Sequence, residues 1–453
     1  MLETLTVWTG SLAALLWSWP ALVLLVGTGI YLTLRLRALQ LRHVGHAVAV
    51  LRGRHTGADE PGEVSHFQAL ATGLSAAVGT GNIAGVATAI SFGGPGAVFW
   101  MWITAVVGMA TKYASCTLAV HYREIDAQGR VAGGPMYTLK NGLHMPRLGA
   151  AFALFTLIAS FGIGNMVQAN SVVDGLRYVV PPVAEHRVWI GLLMAAGVGL
   201  VIVGGIRSIA RVASVIVPVM AVAYCLAALA VLVMHATEIP AALGLIFNHA
   251  LNPAAAGGGA IGAAIQYGVA RGVFSNEAGL GSSPIAHAAA STREPVRQGL
   301  VAMLEPLIDT LVICTLTALV IVISGFWGEA RPEGLAGAAL SAHAFSDTLG
   351  GAGAWVVGLG LTFFAFSTMI AWSYYGDRCA HYLFGPRAVL PYRLLYLVAI
   401  VIGASTSLQL VWNFADVANI FMALPNLLSV VLLSGVVVTL TRDYFARQQG
   451  VRA

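Results

Sequence analysis

Charge is what this chain has least of. Only 9% of its 453 residues are Asp, Glu, Lys or Arg, against about a quarter in an ordinary soluble domain. With 58% hydrophobic residues and a mean hydropathy of +0.81, apolar segments of near-spanning length recur along it. That excludes a soluble globular domain and predicts an all-α polytopic membrane protein. Cysteine is nearly absent too. Cys116, Cys225, Cys314 and Cys379 are far apart without metal-ligand spacing, and read as isolated apolar thiols. Catalytic signatures are missing: there is no HExxH, no GxSxG and no paired intramembrane Asp in a catalytic setting, so no enzyme is expected. The net charge of +5 is dispersed over loops, which argues against nucleic acid as a partner. MLETLTVWTG at the N-terminus lacks the positive region of a signal peptide and no small-residue cleavage site follows, so the first segment is expected to be a retained span.

Apolar length gives eleven expected transmembrane helices, at about 12–34, 68–90, 97–120, 149–172, 187–206, 212–234, 259–290, 299–324, 354–376, 391–408 and 415–440. The basic residues test that count. Of 24, 20 fall in alternate connections or the tail (among them Arg35, Arg54, Lys112, Arg123, Lys140, Arg207, Arg297, Arg393 and Arg447); Arg177, Arg187 and Arg331 fall on the other side, and Arg271 within a span. The positive-inside rule then sets the N-terminus outside and the C-terminus in the cytoplasm. Gln40 to Gly53 is too short and too basic to span and reads as an interfacial amphipathic helix. The stretches 121–148 and 325–350 read as connecting loops.

Two spans carry sequences that cannot hold a regular helix. The second contains Gly79-Thr80-Gly81-Asn82. The seventh contains Arg271 to Pro284, with three glycines, an Asn-Glu pair and a proline. Glycine and proline are poor helix formers, and broken backbone at membrane depth survives only where it is buried in protein or lines a cavity. With the first helix set aside as peripheral, the broken helices open two groups of five that run in opposite directions. Paired breaks in inverted halves point to the midplane binding site of a secondary transporter; close helix packing by small residues is the plainer alternative. The expected divisions are 1–67 (peripheral and interfacial helices), 68–236 (first inverted repeat) and 237–453 (second repeat and tail).

Several stretches resemble one family. PGAVFWMWITAVVG (Pro95 to Gly108) resembles the signature of the alanine/glycine:cation symporters, also called sodium:alanine symporters. GTGNIAGVATAI, GGPMYTL (Gly133 to Leu139), FSNEAGLGSSPIAHAAA (Phe274 to Ala290) and AWSYYGDR (Ala371 to Arg378) look like that family as well. The resemblance implies sodium- or proton-driven uptake of alanine or glycine on a leucine-transporter-like fold, a five-plus-five inverted repeat. Ala77-Val78-Gly79-Thr80-Gly81-Asn82 matches that fold's AVG-x-GN pattern in register.

An amino-acid zwitterion needs partners for its carboxylate and ammonium groups. Amides at the start of a half-helix suit a carboxylate, which nominates Thr80, Gly81 and Asn82. Unwound carbonyls from Phe274 through Ser275 to Asn276 suit an ammonium group, with the Ser275 and Asn276 side chains adding contacts. Gln168, polar in an apolar helix, is either a substrate contact or an interhelical hydrogen bond, and Asn165 one turn earlier reads as structural. Trp372 and Phe274 are candidate apolar walls, although a tryptophan packs or anchors equally well. Ser367 and Thr368 offer paired hydroxyls, with back-bonding to their own helix as the alternative. The resemblance implies that they bind sodium with the carbonyls of Ser75 and Val78, and that Asn82 matches a second sodium ligand. Arg271, Glu277, Glu305 and Asp309 are gate or charge-pair candidates. Glu277 is expected to pair with Arg271 or to cap the resumed half-helix, and Glu305 and Asp309, four apart on one helix face, to disfavour a double charge, with one of them protonated or paired with a cation such as Arg271.

The expectation is therefore a sodium- or proton-coupled symporter of a small neutral amino acid in the inner membrane of a prokaryote. Its partners would be substrate, ion and lipid bilayer, with sodium the coupling ion and no other cofactor. A channel, or an exchanger or exporter on the same fold, is the rival reading.

Overall fold

The computed structural model describes residues 2–450 except 56, 58–59, 126–129, 178, 252–259, 329–334 and 407. Arg331, Arg452 and the expected start of the seventh span at 259 lie outside the described residues. Among the described residues, apart from a two-stranded antiparallel hairpin, Glu124–Ile125 with Val131–Ala132, the regular structure is helical.

Seven described helices are long and apolar enough to cross a membrane, and each falls on an expected span: Gly96–His121, Pro146–Leu176, Gly205–Met234, Pro295–Ile323, Gly351–Phe384, Pro386–Ser405 and Gln409–Leu432. An eighth is formed if Thr4–Leu16 and Trp19–Arg35, bent by 45° at their junction, are one span. Pro20 sits at the start of Trp19–Arg35, where its missing N–H costs nothing. Arg187–Ile202 is apolar but shorter.

The structure departs from the expected elements in several places. Helix Ala338–Leu349 occupies a connection expected to be a loop, and Ile239–Leu251 lies between two expected spans where no element was assigned. The interfacial helix is two short pieces, Leu39–Arg42 and Val44–Leu51. The expected last span divides at Leu433 into Leu408–Leu432 and Ser434–Gly450.

Both breaks are present. The first helix, His66–Ala77, begins in a capping box: Ser65 Oγ accepts from Gln68 N–H at 3.2 Å while Gln68 Oε1 accepts from Ser65 N–H at 3.0 Å. It stops at Val78, whose ψ of 93° leaves the helical region, passes through the single turn Thr80–Asn82 and resumes as Ala84–Gly93. The second, Ala260–Asn276, ends at Glu277 (φ +54°), passes Gly279 (φ +95°) and Gly281 (φ +88°), and resumes as Ser283–His287. Left-handed backbone is natural for the glycines and strained for glutamate. Both breaks, 78–83 and 276–282, are buried. The first broken helix packs on Gly205–Met234 and Gly351–Phe384, and the second on Gly96–His121. No broken backbone is left to face lipid, as the solvent demands.

Candidate functional site

The first break replaces its lost helical bonds with side chains. Asn82 Oδ1 accepts from Gly79 N–H at 2.9 Å, and Gln168 Oε1 accepts from Thr80 N–H at 3.3 Å. Gln168 can reach because Gly162–Met166, just before it, is a π-turn. Such a turn leaves a carbonyl without its usual donor, and Gln168 Nε2 donates to Ile163 O at 2.8 Å. Gly79 is needed for space as well as for the turn. A Cβ there would lie 2.6 Å from Thr368 Oγ1 and 3.1 Å from Gln168 Oε1. Thr80 Oγ1 is buried with no partner among the described residues.

Asp309 joins the two breaks. Its Oδ1 accepts from Asn82 Nδ2 at 2.6 Å; its Oδ2 accepts from Ser275 Oγ at 2.8 Å and Thr310 Oγ1 at 2.7 Å. Asn276 donates to Thr310 Oγ1 at 3.2 Å and accepts from Ala278 N–H at 2.9 Å, so its side chain supports the break itself. Asp309 lies in a second π segment, Leu307–Cys314, which begins between the two acids that sequence spacing set on one face. The extra residue per turn rotates Asp309 away from Glu305. The two carboxylates consequently serve different clusters.

Glu305 does not meet Arg271. Its Oε2 lies 2.5 Å from Lys112 Nζ, and it also accepts from Ser283 Oγ at 2.9 Å and from His287 Nε2. Lys112 is 1% exposed within Gly96–His121, so it belongs to no loop. Arg271 instead pairs with Asp416 at 2.5 Å and lies over the rings of Trp412 and Phe274. Glu277 meets neither cation directly: it accepts from Trp372 Nε1 at 2.8 Å and Ser282 Oγ at 2.5 Å. Ser282 is the residue at which Ser283–His287 begins, so of its two expected places Glu277 takes the one at the resumed half-helix.

Ser367 and Thr368 come to the first break as expected. Their hydroxyls lie 3.4 Å from the carbonyls of Ser75 and Val78 respectively, and both also donate back to Phe364 O, at 2.9 and 3.0 Å. Ser75 Oγ donates to Ser367 O at 2.7 Å. Asn82 points the other way, into the Asp309 cluster. The two proposed walls separate: Phe274 stacks on Trp412 with centroids 4.7 Å apart, whereas Trp372 stands edge-on to Tyr375 and fills the space above Gly164.

The ends of the first broken helix differ. Beside Ala84 and Thr88 a cavity of about 430 Å³ opens, lined also by Trp17, Asp174, Arg271 and Asp416. At the other end the chain is clasped. Glu63 N–H donates to Ala289 O at 2.8 Å and Ser291 N–H to Val64 O at 2.7 Å. The Arg123 guanidinium ties together the carbonyls of Pro61, Ala288, Ala290 and Thr292 at 2.6–2.8 Å. Burial there lowers Arg123 to about 10, so it stays charged at neutral pH.

The family profile of the sodium:alanine symporters matches residues 2–452. The chain belongs to that family. It is 49% identical over 434 residues to the sodium/alanine symporter AgcS of Methanococcus maripaludis, covering 94% of each chain. It is 41% identical to the probable sodium/glutamine symporter GlnT of Bacillus subtilis, covering 95% of this chain and 88% of that one. Its fold is similar to that of MhsT solved in complex with L-phenylalanine, with a TM-score of 0.60 at 14% identity, covering 83% of this chain and 90% of that one. Family membership makes this an integral membrane amino-acid symporter and not an enzyme. Within this symporter, sequence reasoning overlooked Lys112, His287, Gln298 and His66 as a buried cluster. A lysine inside a span was the available signal, since an intramembrane charge needs a partner.

Proposed function

We propose that this symporter couples sodium to the uptake of a small neutral amino acid, alanine or glycine, by alternating access. The observation carrying the reading is the convergence of both breaks, Gln168 and Ser367–Thr368 around Gly79 to Asn82. A substrate carboxylate would take the amides of Thr80, Gly81 and Asn82 in place of Gln168. The ammonium group would take carbonyls at Phe274 to Asn276, the Ser275 and Asn276 side chains would add contacts, and Gln168 and Trp372 would close the pocket. Sodium would sit among the Ser75 and Val78 carbonyls and the Ser367 and Thr368 hydroxyls, hard oxygens on two helices. The Gly, Ala and Ser residues around the break suit a small side chain, and the name of AgcS is in keeping with alanine. In this reading eleven helices cross the inner membrane, N-terminus outside: a peripheral unit 1–67, an inverted repeat 68–236 and its partner 237–453. Arg271 with Asp416 lies towards the outside, and Glu277, Glu305 and Asp309 lie between the halves.

The test is uptake of labelled alanine and glycine into liposomes holding the purified protein, with sodium and proton gradients imposed one at a time. Uptake driven by the sodium gradient is expected, with trans-acceleration by internal alanine. Uptake indifferent to both gradients, or flux without exchange, would replace a symporter with a channel.

A further inference from the structure

At the clasped end lies an unbroken chain of buried polar side chains. His66 Nδ1 is 2.5 Å from Gln298 Oε1, and Gln298 Nε2 is 2.5 Å from His287 Nδ1. His287 Nε2 meets Glu305, which Lys112 neutralises. All five residues are at most 4% exposed. The chain runs from the first residue of one broken helix to the resumed half of the other. A Cβ on Gly73 would collide with both the Glu305 carboxylate and the His287 ring, so glycine there keeps the space open.

In the orientation that the Gln298 amide takes here, hydrogen-bond direction sets the protons. An amide nitrogen only donates, so His287 Nδ1 accepts and its single proton is on Nε2, aimed at Glu305. An amide oxygen only accepts, so His66 carries its proton on Nδ1. Every donor thus points from His66 towards Glu305, and the carboxylate of Glu305 is paired with Lys112. One basic atom of the chain is unused: His66 Nε2 is buried without a partner among the described residues. The charged and titratable groups around the chain are the Glu60–Arg297 pair beside His66, and Cys116, Glu277, Tyr375 and Asp309 around Glu305 and Lys112.

We propose that His66 Nε2 is a proton-binding site facing the side of the clasp, and that filling it releases the clasp. A proton taken from water there forms one N–H bond and turns the ring into an imidazolium whose new donor has no acceptor while the clasp is shut. An unmet buried donor is costly, and a charged one more so. Swinging the start of His66–Ala77 into water meets that donor, breaks the bond to Gln298 and separates the two broken helices. Because the proton binds the open form better, it shifts the population towards it, and opening strengthens proton binding by the same factor. The proposal rests on alternating access, but not on the identity of substrate or ion.

The test is a distance between spin labels at Phe67→Cys and Arg147→Cys, measured with neither sodium nor amino acid in lipid nanodiscs. The two conditions are about pH 8 and about pH 5.5, either side of the ordinary histidine range. Acid is expected to raise the long-distance population about tenfold, the equivalent of one buried unpaired donor. His66→Gln, which still donates to Gln298 but takes no proton, is expected to stay short at both pH values. Gln298→Leu, which cuts the chain, is expected to lengthen the distance at both. A distribution identical at the two pH values, or a His66→Gln variant responding like the parent, overturns the proposal. Failure of gradient-driven alanine uptake would overturn the substrate assignment and leave this readout standing.

Discussion

At the first break, residues 78–83, every group that replaces a lost helical bond is neutral: the amides of Asn82 and Gln168, and the hydroxyls of Ser367 and Thr368 near by. At the second, residues 276–282, a glutamate in a left-handed conformation sits at the turn, with Arg271 two helical turns back and Glu305, Lys112 and His287 around the resumed half. The two share one carboxylate, Asp309, bonded to Asn82 on one side and Ser275 on the other. Neutral dipoles bind a zwitterion and a weakly held ion without requiring a counter-charge to move. Buried charges are costly unless paired, so the second break is stable only in arrangements that keep its pairs together. In the proposed reading, recognition would fall chiefly to the first break and control of the conformational change to the second.

The strongest way to break this comparison is Glu305→Gln. It leaves Lys112 buried without its counter-charge, and removing one partner of such a pair costs about 3–5 kcal/mol. Thermal unfolding of the purified protein in detergent should show that loss, and Glu305→Gln combined with Lys112→Met should recover most of it. A single variant as stable as the parent would mean that the second break does not depend on its charges.

Gly79→Ala probes the neutral break and should cost less. The added methyl would press on Thr368 Oγ1 and Gln168 Oε1, and overfilling a packed site costs about 1–3 kcal/mol. Uptake should fall roughly 5- to 150-fold if that strain is absorbed by moving the two polar partners, with a smaller change in unfolding temperature than for Glu305→Gln. Unchanged uptake would show that the break tolerates a side chain and that its shape is not what recognises the ligand.

The difference between the breaks also decides how much was legible beforehand. Gly79-Thr80-Gly81-Asn82 and the Gly279–Gly281 pair announce themselves, because backbone that cannot be helical is visible residue by residue. The seven long helices follow equally well from apolar length. What could not be read was which buried charge meets which. Glu305 and Asp309 look like neighbours at four-residue spacing until a π segment inserts a residue between their faces. Arg271 and Glu277 are close in sequence, yet Arg271 finds Asp416 across 145 positions. Lys112 pairs with a residue 193 positions away. Ion pairs of this kind are chosen by tertiary packing, which local pattern does not encode. Helices Ile239–Leu251 and Ala338–Leu349 were missed for a related reason. They interrupt connections between spans, where a hydropathy reading looks for membrane-spanning length and not for structure.

Ser367→Ala makes the smallest change and separates two roles of one hydroxyl. The hydroxyl donates to Phe364 O at 2.9 Å within its own helix and stands 3.4 Å from Ser75 O. If back-bonding is its whole purpose, alanine costs little, since the helix keeps its own ladder and hydroxyl back-bonds often bend it. If the hydroxyl also turns towards an ion between the helices, stability without sodium should change by less than about 1 kcal/mol. The sodium concentration for half-maximal uptake should nonetheless rise about five- to tenfold. The readout is therefore the difference between two titrations: unfolding measured without sodium, and alanine uptake measured against it. A shift confined to uptake assigns the hydroxyl to the ion and ties it to the neutral break. A shift in neither leaves it to its own helix, and the oxygens of the first break would then have to hold the ion without it.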